Sequence, residues 1–302
     1  MVERRQLGGD QQAAGQVAQR VRKVGKVSKV GGSGGTSGSR VILFLFLSHL
    51  GLGIVFTLAF VAKDAGVKFF RFNAGLAAIL IGVAFAFRPT ADPTAASQTG
   101  FVALAVAEAA ILLYWATIGR ALAAIRPAIL GCASAAGLVA LLAQSADVSA
   151  GWPVSTQVLT VASFLTSAAF LGGACTAMIL GHWYLVIPSM QVTHLQSIVK
   201  VHIVSMIVRV VVVVAAIYVA IVTWQPGLGP NFERYIFSVA GIFFWQRVLF
   251  GLAPLLLAYL TWETAKIRST QSATGILYVD FFTVVVAEVL AKYLLLATRV
   301  PV

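Results

Sequence analysis

Residues 197–223 read SIVKVHIVSMIVRVVVVVAAIYVAIVT, and this stretch decides the fold class. Its formally charged side chains are only Lys200 and Arg209. An α-helix needs about 20 apolar residues to cross the hydrocarbon core of a bilayer, and this segment is longer than that. Such a helix satisfies every backbone polar group internally, which lipid requires. We therefore predict a transmembrane helix here.

Similar apolar segments occupy most of the remaining chain. They cover residues 41–62, 67–87, 100–119, 125–145, 157–187, 235–262 and 273–297. Prolines stand at several of the joints, where they end helices, whereas Pro254 falls inside a segment and should kink it. The sequence thus predicts an all-α fold, a polytopic integral membrane helical bundle of about eight transmembrane helices.

The composition agrees with a membrane protein and excludes an ordinary soluble domain. Hydrophobic residues make up 59% of the chain and charged residues only 11%, whereas soluble domains have about a quarter charged residues. The net charge is +12, but much of the excess lies in the N-terminal tail and the short loops. Basic flanks of apolar spans reflect topology and attraction to anionic lipid. We therefore predict membrane lipid as a partner and no nucleic acid.

The first 40 residues are predicted to be a separate region. Residues 1–40 are basic and end in the Gly/Ser-rich run 31–39, which is typical of a flexible linker. They contain too few large apolar side chains to bury a core, so we predict disorder. The predicted domains are thus a tail at 1–40 and a bundle at 41–302.

The charge pattern gives conflicting signals about orientation. The basic tail lies on one side of the membrane, and the loops containing Lys68, Arg120, Lys200 and Lys266 lie on the other. Charge close to the first helix usually dominates. We predict a cell (inner) membrane protein with a cytoplasmic N-terminus.

Four histidines lie at or near membrane depth, where ionisable residues are costly and usually functional. His182 lies six residues before Pro188, and His202 lies six residues after Gln196. If the polar run 189–196 is the turn, both imidazoles lie about 9 Å from it and share a depth. Two imidazoles on facing helices are the ligands that haem b requires, and they would also suit a metal ion such as copper or zinc.

His49 lies beside Gly51 and Gly53 in the first helix. These small residues leave room for a flat macrocycle, and they also permit close helix packing. We predict that His49 serves a secondary cofactor site, while His194 is predicted to be a loop residue.

Buried charges form a second candidate site. Glu108, Arg209, Arg247 and Glu288 lie near the middle of predicted helices, and Asp280 lies on the last one. Depth suggests that Glu108 pairs with Arg209 and that Arg247 pairs with Glu288.

Two of these groups have predicted roles of their own. Arg209 lies seven residues after His202 and could bind a haem propionate or a quinone carbonyl. Glu288 and Lys292 are spaced to pair within one helix. The acids and arginines could alternatively line a proton or solute path.

Three functions remain open at this point. The first is an electron-transfer or cofactor-handling protein that binds haem b, with quinone as a second candidate cofactor. In its eight-helix layout with membrane histidines, the chain is loosely similar to b-type cytochromes, haem A synthases and quinol-oxidising anchor subunits. The second is a transporter of a small anion, a metal or a proton-coupled solute. The third is a non-catalytic subunit that binds other subunits of a membrane redox complex. Whether the protein is an enzyme is left open.

Overall fold

Helices make up nearly all of the chain that the computed structural model describes, which is residues 37–61, 65–89, 94–120, 123–186, 192–224, 231–267 and 269–302. Most of the predicted tail, residues 1–36, lies outside the described residues. Residues 42–302 form one compact unit, and of the other unit only residues 37–41 are described, as the start of the first helix.

The predicted all-α membrane bundle is confirmed. Eight of the helices in the described ranges are long and apolar enough to cross a membrane. The chain is therefore an integral membrane protein whose outer surface contacts lipid. The helices are α1 (Ser37–Leu58), α2 (Gly66–Ala86), α3 (Ala95–Thr117), α4 (Arg126–Val148), α5 (Val154–Val186), α6 (Val192–Val222), the short α7 (Phe232–Ile236), α8 (Ile242–Lys266) and α9 (Thr270–Thr298).

Local sequence signals explain several helix ends. Thr94 caps α3, and its side chain accepts a hydrogen bond from the backbone N–H of Ser97 at 2.9 Å. Pro127 lies in the first turn of α4, where its missing N–H costs nothing. Pro254 lies inside α8 and does not end it, as predicted.

Four helices form a ring that encloses the polar interior. Helix α5 packs on α6, α6 on α8, α8 on α9, and α9 back on α5. Each of the four helices places a buried polar side chain inside the ring, namely Ser167, Arg209, Arg247 and Glu288. This arrangement brings together residues that are far apart in the sequence.

Helix α1 lies against α5 through glycine. A Cβ atom on Gly53 would lie 2.0 Å from the carbonyl oxygen of Ala168, and one on Gly172 would lie 2.1 Å from the backbone of Gly53. Only glycine allows the two backbones to approach this closely. Of the two predicted uses of the small residues beside His49, the structure therefore shows close helix packing.

Candidate functional site

Glu288 lies at the centre of the interior and is fully buried. Its carboxylate accepts a hydrogen bond from Nε of Arg209 at 3.0 Å and another from Nζ of Lys292 at 2.9 Å. Nη2 of Arg247 lies 3.5 Å from the same carboxylate. The predicted pairs Arg247–Glu288 and Glu288–Lys292 are confirmed. A single acid on α9 thus holds cations from α6, α8 and its own helix.

Ser167 connects this acid to the rest of the bundle. Its hydroxyl donates to Glu288 at 2.5 Å, and it accepts a hydrogen bond from Lys292. Nδ1 of His49, on α1, lies 3.3 Å from the same hydroxyl. We call Ser167, Arg209, Arg247, Glu288 and Lys292 the central charge cluster. His49 adjoins this cluster, and its ring also packs edge-on against Phe164.

The central charge cluster carries more positive than negative charge. Among these side chains, Arg209, Arg247 and Lys292 contribute three positive charges against the one negative charge of Glu288, so the formal side-chain excess is two. All four side chains are at most 5% exposed. Uncompensated charge is costly in an apolar environment, so an arrangement of this kind favours the binding of an anion.

The three cations differ in how well their hydrogen bonds are satisfied. Besides Glu288, Arg209 donates to the hydroxyl of Ser163 at 2.7 Å and to a main-chain oxygen of Val302 at 3.1 Å. Nε of Arg247, by contrast, is buried without a hydrogen-bond partner among the described residues. Arg247 is therefore the cation with remaining capacity to bind a ligand.

A second polar pair lies at another level of the interior. Nε2 of His202 lies 2.9 Å from Oδ2 of Asp280, and both side chains are fully buried. The contact has the distance of an ion pair but not the alignment of a hydrogen bond. Both ring nitrogens of His202 therefore lack a hydrogen-bond partner within the described residues. The imidazole stacks on Phe170, with ring centroids 5.6 Å apart.

The central charge cluster and the His202–Asp280 pair lie at two different depths along the same two helices, α6 and α9. On α6, His202 precedes Arg209 by seven residues, and on α9 Asp280 precedes Glu288 by eight. At 1.5 Å per residue, the levels are about 10–12 Å apart along the helix axes. Ionisable groups thus continue through about a third of the hydrocarbon thickness.

The prediction that His182 and His202 share a depth is wrong. Helix α6 begins at Val192, so residues 192–196 of the predicted turn are helical, and His194 lies in the helix instead of a loop. His202 packs against Gly173 of α5, with its Nδ1 3.0 Å from where a Cβ would stand. His182 is nine residues further along α5, or about 13 Å. It is exposed, with Nδ1 3.3 Å from the hydroxyl of Tyr278.

These positions do not fit the proposed haem b or metal ligands. His182 contacts α9 at the exposed surface, whereas His202 contacts Asp280 in the interior and has Phe170 against one ring face. In the part of the chain that the structure describes, no group of three or more His, Cys, Asp or Glu side chains is placed to hold a metal ion. The prediction of a secondary cofactor site at His49 stays a prediction.

The predicted pairing of Glu108 with Arg209 is also wrong. Glu108 lies on α3, which packs on α2 and α4, whereas Arg209 lies in the ring and is bound to Glu288. Oε2 of Glu108 is buried without a hydrogen-bond partner in the described ranges. Equal depth alone could not show that α3 lies outside the ring.

The serines on α5 were not predicted as site residues. Ser163 and Ser167 are four residues apart and therefore share one helix face, with Thr160 one turn earlier. In the sequence, these three hydroxyl residues form a polar stripe on one face of an apolar segment, and this stripe could have indicated a site. Small hydroxyl residues are common at helix interfaces, so the stripe alone did not indicate a site.

Comparison with known proteins finds no matching family model and no matching curated protein.

Proposed function

We propose that this protein is a membrane transporter that binds a small anion at the central charge cluster and couples its passage to proton movement. The observation that supports this proposal is the excess of cationic side chains around Glu288 inside an apolar bundle, where three cations share one side-chain carboxylate. A bound anion would balance part of this excess. Purely structural ion pairs need only equal charges, as Lys266 and Glu263 provide at the surface.

The His202–Asp280 pair is the candidate for the proton. Both groups are buried, lie 2.9 Å apart and retain unused hydrogen-bonding capacity among the described residues. Histidine and aspartate are the residue types that form proton relays inside membranes. Since the pair is about 10–12 Å from the cluster, a proton there can influence the anion through charge without direct contact.

The test uses purified protein in liposomes on a solid-supported membrane, with gradients of acetate, nitrate, chloride and benzoate. We expect a transport current for at least one of these anions. Arg247→Gln should reduce that current at least tenfold, because it removes the cation with unused hydrogen-bonding capacity. Lys266→Gln removes a cation from an exposed pair and should leave the current unchanged. Equal currents in the two variants, or no current at any pH gradient, would contradict the proposal.

The other functional hypotheses stay predictions. An optical spectrum of the purified protein tests electron transfer through haem b, and co-purification in mild detergent tests a non-catalytic subunit with partner chains. The cell (inner) membrane and the cytoplasmic N-terminus also stay predictions, which labelling of cysteines placed in the loops would test.

A further inference from the structure

A cavity of about 150 Å³ lies between α6 and α8, beside the central charge cluster. Apolar side chains of both helices form most of its wall, among them Met206, Val213 and Phe244. Arg209 and Arg247 also line it. The cavity is therefore an almost wholly apolar space that adjoins two cationic side chains.

The cavity reaches the lipid-facing surface. Val214 of α6 and Leu252 of α8 line the cavity, and they are 59% and 45% exposed. Because lipid surrounds these two helices, a molecule dissolved in the hydrocarbon core can enter sideways between them. Inorganic anions do not dissolve there, whereas the neutral form of a weak organic acid does.

Arg247 is the cation beside this cavity that retains capacity to bind an anion. The residue is 4% exposed, and its Nε is buried without a hydrogen-bond partner within the described residues. Its link to Glu288, at 3.5 Å, is the longest of the three salt bridges to that acid. A carboxylate can accept hydrogen bonds from the guanidinium and form a charge-assisted pair.

Gly251 gives the guanidinium its position. A Cβ atom on Gly251 would lie 2.0 Å from Nη1 of Arg247, one turn earlier on the same helix. Gly251 also lines the cavity. The glycine therefore allows Arg247 to lie along α8 beside the apolar space.

The size and wall of the cavity define the ligand class. An apolar cavity of about 150 Å³ holds one benzene molecule. The wall offers little besides the two arginines for polar contacts, so a multiply charged anion would lose its hydration without replacement. From these features we infer that the cavity binds a monocarboxylate with one compact apolar group, such as an aromatic or short branched acid. The inference names the substrate class of the proposed transporter, so as a statement about transport it rests on the proposed function. The binding of a monocarboxylate in the cavity does not depend on that function.

The experiment measures equilibrium binding to purified protein in lipid nanodiscs. Benzoate is the probe, benzamide is its neutral analogue of nearly the same shape, and duroquinone represents a neutral quinone ring. We expect benzoate to bind at least tenfold more tightly than either neutral compound. Tighter or equal binding of benzamide or duroquinone would overturn the inference.

Two variants test the place of binding. Gly251→Val should weaken benzoate binding at least tenfold, because the new side chain displaces Arg247 and fills the cavity. Val214→Trp covers the lipid-facing opening without changing a buried residue, and we expect a similar loss. Leu256→Trp puts the same side chain on a lipid-facing part of α8 away from the cavity and should bind benzoate normally. Unchanged binding in Val214→Trp would overturn the inference even if Gly251→Val did not fold.

The binding result and the transport result are separable. Benzoate binding without a current from any anion would uphold this inference and contradict the proposed transport. A current from nitrate, chloride or acetate without benzoate binding would uphold transport and contradict the inference.

Discussion

Replacing Glu288 with glutamine tests whether the central charge cluster stabilises the bundle. The substitution keeps the shape of the side chain and removes the side-chain carboxylate that the three cations share. The formal charge of the cluster rises from two to three. The remaining amide can still accept a hydrogen bond, but its NH₂ group then faces donors.

The contact distances set the size of the effect. At 2.9–3.0 Å and an effective dielectric constant near 20, each of the contacts with Arg209 and Lys292 has a gross energy of about 6 kcal/mol. Desolvation offsets much of this, and removing one partner of a buried pair costs about 3–5 kcal/mol in practice. We expect Glu288→Gln to lose about 3–5 kcal/mol of unfolding free energy.

The assay is unfolding of the protein in mixed micelles by titration with a denaturing detergent. Glu263→Gln is the matched control, because it makes the same change in a pair whose side chains are 47% and 43% exposed. That variant should lose less than about 0.5 kcal/mol. Adding Lys292→Met to Glu288→Gln restores the original formal charge, and we expect the double variant to recover part of the loss. Equal stability of Glu288→Gln and Glu263→Gln would refute the reasoning.

Three further predictions concern packing, cofactor and coupling. Gly53→Ala should destabilise the protein by about 1–3 kcal/mol because its Cβ would lie 2.0 Å from the Ala168 carbonyl oxygen, whereas Gly131→Ala, which meets nothing within 4 Å, should be neutral or stabilising in the same detergent titration. His202→Ala should leave the optical spectrum of the dithionite-reduced protein unchanged, because His182 and His202 are not placed to bind one haem iron; sharp haem bands that disappear in this variant would contradict that placement. Asp280→Asn should retain anion binding but lose the response of the transport current to a proton gradient; an unchanged response would exclude the His202–Asp280 pair from coupling.

The sequence was sufficient for the fold because the lipid environment constrains it so strongly. Each long apolar segment can satisfy its backbone in lipid only as a helix, so the eight spans followed from length and composition. The ends were less certain where polar residues continue a helix. Residues 192–196 belong to α6, although Gln196 and its neighbours are polar enough to read as a loop. That shift of one turn or more removed the basis for pairing His182 with His202.

The candidate site was only partly predictable, because depth does not determine which helices touch. Arg247–Glu288 was predicted correctly, since α8 and α9 are consecutive antiparallel helices that pack together. Glu108 lies at a similar predicted depth but on α3, outside the ring. The packing of α9 on α5, which brings Ser167 to Glu288, depends on contacts between segments 121 residues apart. Hydrophobic periodicity contains no information about such a contact.

The central charge cluster differs from a purely structural ion pair because its cationic side chains outnumber its side-chain carboxylate. A structural role is met by the pair that Glu288 forms with Lys292 on one helix, or by the pair that it forms with Arg209 between two helices. Arg247 adds a further buried cation whose Nε has no partner among the described residues and which lies beside an apolar cavity. Burying this incompletely paired cation costs free energy, and a bound carboxylate would offset that cost, so the residue that adds least to stability is the one that a ligand would use.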